Sequence, residues 1–218
     1  VSSKGLVRGI DRTLEYAEYT EEERPVSIQI FGGDPAVMAE AAGIVEAMGA
    51  DIVDVNMGCP VRKIAKHNAG CSLMREPAHA ADVIRAMTDA VKIPVTVKMR
   101  AGWSDREINA PDLARRVEDA GAAAVAVHGR TAEQSYSGDS DWQLISRVAQ
   151  GLAIPVFGSG DCTEAGHVVD RLAIEIDTAR QLIQLGCLDL EGLGDLVGDW
   201  PLVLHAGPGE FPDVARRL

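Results

Sequence analysis

Five short runs of apolar, largely β-branched residues punctuate the first 161 positions of the chain: PVSIQIF (25–31), DIVDVNMG (51–58), PVTVKMR (94–100), AAVAVHGR (123–130) and IPVFGSGD (154–161). Each closes on glycine or polar residues, as strands do. Between them the apolar positions take a helical rhythm, in PAVMAEAAGIVEAMG (35–49), PAHAADVIRAMTDAV (77–91), APDLARRVEDAG (110–121) and DWQLISRVAQG (141–151). Several of these segments begin on Pro or Asp and stop at Gly, which is start and stop chemistry for helices. Spacings of about 25 to 40 residues from strand to strand are those of right-handed crossovers, so the pattern predicts a parallel α/β sheet. Spacing alone leaves two architectures open, a doubly wound open sheet and a (β/α)₈ barrel.

The strand ends separate the two. Gln29, then Asn56 and Cys59, Lys98 and Arg100, His128 and Arg130, and Ser159 and Asp161 close five successive runs. A barrel gathers one or two groups from each strand's C-terminal end at a common centre, whereas an open sheet concentrates them at one switch point. Five polar endings in a row favour a TIM (β/α)₈-type barrel, incomplete, with about five β/α units over residues 1–172. Residues 173–218 read as an atypical acidic tail with no recognisable helical RNA-binding domain. No G-x-G-x-x-G follows the first run, so a dinucleotide-binding domain has little support.

Composition narrows the setting. The 218 residues are 46% hydrophobic and 25% charged, ordinary values for a globular protein. No apolar run reaches the length of a membrane span, and VSSKGLVRGIDRT has no signal-peptide core, so a cytoplasmic chain with no membrane partner is expected. The first residue, Val1, hints at a longer or processed protein. Four cysteines lack zinc-like spacing, which predicts free thiols and no metal. The net charge is −12; from Asp161 onward 11 acidic residues face 4 basic ones, a net of −7 that leaves −5 for the first 160. That balance argues against a generic nucleic-acid binder. The basic island of Arg62, Lys63 and Lys66 is read either as an RNA-phosphate contact or as a solvated face.

Chemistry concentrates in DVNMGCPVRKIAKHNAG (54–70), followed in register by K-x-R-x-G-W (98–103) and H-G-R-T (128–131). Over roughly residues 1–172 this order resembles the dihydrouridine synthases, flavin enzymes that reduce the C5=C6 bond of particular uridines in tRNA. The resemblance implies FMN as cofactor, NADPH as reductant and tRNA as substrate. It places Cys59 as the general acid, Gln29, Lys98, His128, Ser159, Gly160 and Asp161 on the flavin, and Asn56, Arg100 and Arg130 on the substrate. The family's first strand and its terminal phosphate clamp are not found in this sequence.

The residue types suit those roles. Reducing an alkene by hydride leaves a carbanion that needs a proton, which a thiol such as Cys59 can give; the plain alternative is a cysteine buried as a small hydrophobe. Lys98 ends an apolar strand, where an unpaired ammonium is costly to bury, and a cation there can face the flavin N1–C2=O edge or reach solvent at the rim. Gln29 offers both donor and acceptor to a pyrimidine ring. His128 fits a ligand contact or a satisfied structural histidine. Gly158–Ser159–Gly160–Asp161 follows a late strand, the habitual place for a phosphate loop. Two other readings remain at this point, another FMN barrel oxidoreductase acting on a free pyrimidine, and an inactive fragment.

Overall fold

A computed structural model of the chain describes residues 1–61, 68–161 and 202–204. Two five-residue helices, α1 (Ser3–Val7) and α2 (Asp11–Glu15), come first; each is too short to leave a periodic signal in the sequence. The five apolar runs form β1 (Ser27–Ile30), β2 (Ile52–Met57), β3 (Val95–Arg100), β4 (Ala124–His128) and β5 (Val156–Ser159). The four helical segments form α3 (Pro35–Ala47), α4 (Pro77–Ala90), α5 (Ala110–Asp119) and α6 (Trp142–Gln150).

Two periods interlock to make the core. Alternate strand residues such as Val53, Val55 and Met57, or Val95, Val97 and Met99, are buried against the helices. Each helix answers with a stripe at i, i+3, i+4 and i+7: Met38, Ala41, Ala42 and Val45 on α3, Ala80, Val83, Ile84 and Met87 on α4, and Ala110, Leu113, Ala114 and Val117 on α5. Alanines along the stripes let the helices lie close to the sheet. Each fully buried Met, Leu, Ile or Val contributes roughly 1.5–3 kcal/mol relative to exposure.

The winding of the sheet decides the architecture. β1 to β5 pair in sequence order and all are parallel. Successive helices pack on one another, α3 on α4, α4 on α5 and α5 on α6. All four therefore cover one face. A doubly wound sheet reverses its strand order once and carries helices on both faces. This is the wall of a TIM-type barrel, five parallel units of it, and its other face is the barrel's interior.

Side chains fasten the connections. Glu46, near the end of α3, accepts from the backbone N–H groups of Lys92 and Ile93 just before β3. Glu118, near the end of α5, does the same for Ala153 and Ile154 before β5. At one edge Ser2 bridges in parallel to Phe31, extending the pairing beyond β1. At the other, β6 (Leu202–Leu204) lies antiparallel to β5. Its direction differs from that of a further barrel unit, which would pair in parallel. The rest of the acidic tail, 173–201 and 205–218, lies outside the described residues. Among the described residues no helix is long and apolar enough to cross a membrane.

Candidate active site

The interior face carries polar residues in rows set by strand register. Gln29 stands opposite Asp54, and Asp54 opposite Thr96. One step up, Asn56 faces Lys98 and Lys98 faces Ala126; above them Arg100 faces His128 and His128 faces Ser159. Seven of the ten residues expected from sequence, Gln29, Asn56, Lys98, Arg100, His128, Ser159 and the loop residue Cys59, thus lie on this face or directly above it.

Cys59 is held at both ends of its residue. Its N–H donates to Asn56 Oδ1 (2.9 Å), which also accepts from Gly58 N–H (3.1 Å). Its carbonyl accepts from Cys71 N–H (3.1 Å). The two thiols nonetheless differ. Cys59 is half-buried, whereas Cys71 is fully buried, and burial pushes its thiol up to about 12. Cys71 stays protonated and inaccessible.

A hydrogen-bonded line runs beneath the Cys59 loop. Asn56 Nδ2 donates to Gln29 Oε1 (2.6 Å), Gln29 Nε2 donates to Asp54 Oδ2 (2.7 Å), and Thr96 Oγ1 donates to Asp54 Oδ1 (2.6 Å). Burial raises the Asp54 carboxyl above the ordinary range, although both hydrogen bonds and the Lys98 charge oppose the shift. Asp54 and Thr96 were not singled out from the sequence. The signal was present in the strand period, which puts Asp54 on the face of Asn56 and Thr96 on the face of Lys98.

The two cations of β3 have different fates. Arg100 is 5% exposed, and its guanidinium donates to the carbonyls of Gly58 (2.9 Å), Thr131 (3.1 Å) and Ser135 (2.8 Å). The Tyr136 ring, itself 80% exposed, lies 5.8 Å from that guanidinium. Arg100 thereby ties the loop after β2 to the loop after β4. Lys98 has no hydrogen bond or ion pair among the described residues. Burial first, and the Arg100 charge second, bring its ammonium down to about 8.

His128 is lowered to about 4, by burial and then by the charges of Lys98, Arg100 and Arg130. It is neutral at physiological pH. Arg130 N–H donates to its Nδ1 (3.2 Å), so the ring proton resides on Nε2. Arg130 does not project into the same space. Its guanidinium donates to Gly138 O and to Asp161 Oδ2 (2.6 Å), and Asp161 also accepts from Ser140 N–H (3.2 Å). Burial works to raise Asp161, but the Arg130 hydrogen bond, the Ser140 N–H and the Arg130 charge outweigh it and hold the carboxyl below its ordinary value. Gly160, with φ +156°, packs so closely on Ser140 that a Cβ there would collide with the serine side chain. The expected phosphate loop is thus braced by an Arg130–Asp161–Ser140 clamp. Arg62, Lys63 and Lys66 lie outside the described residues. A polar cleft of about 420 Å³ bordered by Asn68, Ser72, Arg75, Glu76 and Glu107 contains none of the expected residues.

The interior face therefore carries an ammonium with no hydrogen bond or ion pair among the described residues, a neutral imidazole N–H and two amides, with a backbone-pinned cysteine in the loop above them. Comparison with known proteins gives this arrangement a lineage. The family model "Dihydrouridine synthase (Dus)" matches residues 1–176. A probable tRNA-dihydrouridine synthase 1 of Synechocystis sp. is 50% identical over 151 residues, 69% of this chain and 42% of that protein. The tRNA-dihydrouridine synthase B of Pseudomonas aeruginosa is 44% identical over 157 residues, 71% of this chain and 47% of that protein. A probable tRNA-dihydrouridine synthase of Rickettsia prowazekii is 48% identical over 174 residues, 79% and 53% of the two chains. A solved nitroalkane oxidase from Streptomyces ansochromogenes overlays on 79% of this chain and 52% of its own at 18% identity and a TM-score of 0.38, a likeness too slight to bear on the fold. The chain spans about half the length of the curated relatives it matches. With most of its length under the family model and its thiol loop, β3 cation and H-G-R-T segment meeting on one face, the chain belongs to the dihydrouridine synthase family.

Proposed function

We propose that this chain forms the catalytic barrel wall of a tRNA-dihydrouridine synthase, reducing the C5=C6 bond of a uridine in tRNA with FMN as cofactor and NADPH as reductant. The observation that carries the reading is the placing of a backbone-pinned Cys59 above the interior face on which Lys98 has no hydrogen bond or ion pair among the described residues, in a chain whose curated relatives are named for that reaction.

The donor set fits a flavin. A half-buried ammonium with no hydrogen bond or ion pair among the described residues gains most from an electron-rich edge, and Lys98 would lie against the N1–C2=O side of the ring. Beyond the bonds they already make, Gln29 keeps one N–H and one lone pair and Asn56 keeps one N–H, so Gln29 can read a pyrimidine edge while staying fixed. His128 adds a neutral N–H donor. Ser159 and Gly160 would approach the phosphate, with Asp161 neutralised by Arg130 so that it does not repel the anion. Bound FMN, recharged by NADPH, would supply hydride to C6 of the base.

The remaining steps fall to the protein. A uridine must leave its stack to reach the interior. Asn56 would hold the base beside the loop, and Cys59 would give its thiol proton to C5 and regain one from solvent. Arg100, by tying the loops after β2 and β4 together, would keep the mouth open at a fixed width for substrate.

The visible spectrum of the purified chain, recorded before and after incubation with FMN and gel filtration, tests the reading. A retained flavin band, followed by dihydrouridine formation in tRNA with NADPH, is the expected result. A chain that stays colourless at saturating FMN would confine the reading to ancestry.

A further inference from the structure

Asp54 has no role in the chemistry above, yet it anchors the line of side chains that ends at the catalytic loop. A carboxylate Oδ2 and backbone N–H groups are the two ends of that line: the first only accepts from an amide, the second only donate. Two amides sit between them. Because Gln29 Nε2 is drawn to Asp54, Gln29 Oε1 must turn to Asn56; because Asn56 Nδ2 answers that oxygen, Asn56 Oδ1 must turn to Gly58 and Cys59. Both amide orientations follow from the end groups. A proton on the carboxyl would not alter this, since its place is Oδ1 beside Thr96 and Oδ2 would still accept.

We infer that Asp54 is a positioning residue, whose acceptor sets the polarity of the Gln29–Asn56 amide relay and thereby fixes the loop that carries Cys59. The inference rests on the reading of Cys59 as the acid. The relay runs from β2 to β1 and back to β2, so it also fixes the face that Gln29 turns to the interior. With Asp54 removed, Gln29 is free to rotate its amide, Asn56 is oriented by the Gly58 and Cys59 N–H groups alone, and those two N–H groups share a weaker acceptor.

Amide hydrogen exchange at Gly58 and Cys59, followed by NMR on the whole chain, tests the relay without flavin or RNA, so its outcome is independent of whether the proposed activity is found. Asp54→Val, which suits a strand but removes the acceptor, is expected to speed exchange at both amides about threefold to tenfold. Asp54→Asn, whose Oδ1 can still accept from Gln29, is expected to remain within about twofold of wild type. Gln29→Leu cuts the relay in its middle and is expected to match D54V; adding D54V to Gln29→Leu should then change nothing further. Thr96→Val, which leaves the relay whole, should be silent. Should D54V not fold, Asp54→Ser takes its place, since its hydroxyl stops short of the Gln29 amide. Wild-type exchange in D54V or its substitute, equal acceleration in D54N, or full additivity of D54V with Gln29→Leu would overturn the inference.

Discussion

The two sides of the barrel mouth are held by different means. Beside β1 and β2 the brace is mostly neutral: two amides hand a hydrogen-bond pattern from Asp54 to the backbone of Cys59. Beside β4 and β5 the brace is ionic, with Arg130, 7% exposed at its side chain, locked to Asp161. The amide brace engages the backbone N–H of Cys59 and leaves its thiol out of the relay. An ionic brace suits the other side, where it holds a glycine-containing loop against α6 while cancelling its own charge. Between them β3 shows the same division two residues apart, with Arg100 consumed by three carbonyls and Lys98 making no hydrogen bond or ion pair among the described residues.

Cysteine substitution gives the largest expected effect and tests the neutral side directly. Cys59→Ala should lower dihydrouridine formation by about 10²–10⁴-fold, the usual contribution of a positioned general acid, while the flavin absorbance is retained. Cys71→Ala, though its N–H bonds to the Cys59 carbonyl, should leave turnover nearly unchanged because a backbone N–H survives any substitution at that position. Equal losses in the two variants would mean that loop geometry, and not the Cys59 proton, limits the reaction.

The ionic side should break through stability. Asp161→Asn leaves a buried guanidinium with a weaker partner and should cost about 2 kcal/mol, less than a fully buried pair because Asp161 is 44% exposed. Urea midpoints read this directly. The two carboxyls also predict opposite pH slopes. Asp161 has its folded value below the unfolded one, so its contribution is present above the unfolded value and fades as pH falls through the folded value. Asp54 is raised on folding, so stability is lost as pH rises from its unfolded to its folded value. In urea titrations from pH 3 to 7, D161N should flatten the acid limb and D54N should remove the opposing slope.

Much of this was legible in the sequence, and the limits have physical causes. Strand and helix positions followed from periods of two and 3.6, because each element has one buried face and four of the helices carry unbroken i, i+3, i+4 stripes. α1 and α2, five residues each, are too short for a period to register. Cys59, Lys98 and Gln29 stood out because polar groups at apolar strand ends require an explanation. Asp54 did not, since an acid inside D-V-N reads as part of a motif until the register sets it against Gln29. Nor did sequence distinguish Arg100 and Arg130 from Lys98: which cation is consumed depends on partners distant in sequence, the carbonyls of Gly58, Thr131 and Ser135 for Arg100 and the Asp161 carboxylate for Arg130.

Lys98 gives the next prediction in size. With its ammonium brought down to about 8 in the free protein, a ligand that favours the cation must bind less tightly as pH rises through that value. FMN affinity, followed by flavin fluorescence quenching, should fall by up to tenfold per pH unit above 8 and level off below it. Lys98→Gln should bind more weakly and abolish the slope. A slope that survives in Lys98→Gln would belong to another group, and the contrast between the two β3 cations would lose its functional meaning.

The smallest effect sharpens where the ionic side ends. Asp141 caps α6, its Oδ1 accepting from Leu144 N–H (2.9 Å), and its own N–H donates to Gly129 O (3.1 Å). It directly follows Ser140, which holds Asp161. Asp141→Ala should cost about 1 kcal/mol as a lost helix cap. If the cap belongs to the clamp, α6 and Ser140 shift together, and the losses from D141A and D161N should fall short of their sum by about 0.5 kcal/mol or more. Asp34 caps α3 in the same way, accepting from Ala36 and Val37 N–H groups, but stands on the neutral side. Asp34→Ala should carry a similar cost and add fully to D161N, because among the described residues no side-chain hydrogen bond links Asp34 to the clamp. Additivity in both pairs would make α6 a passive cover, and the ionic brace would then reach no further than Ser140.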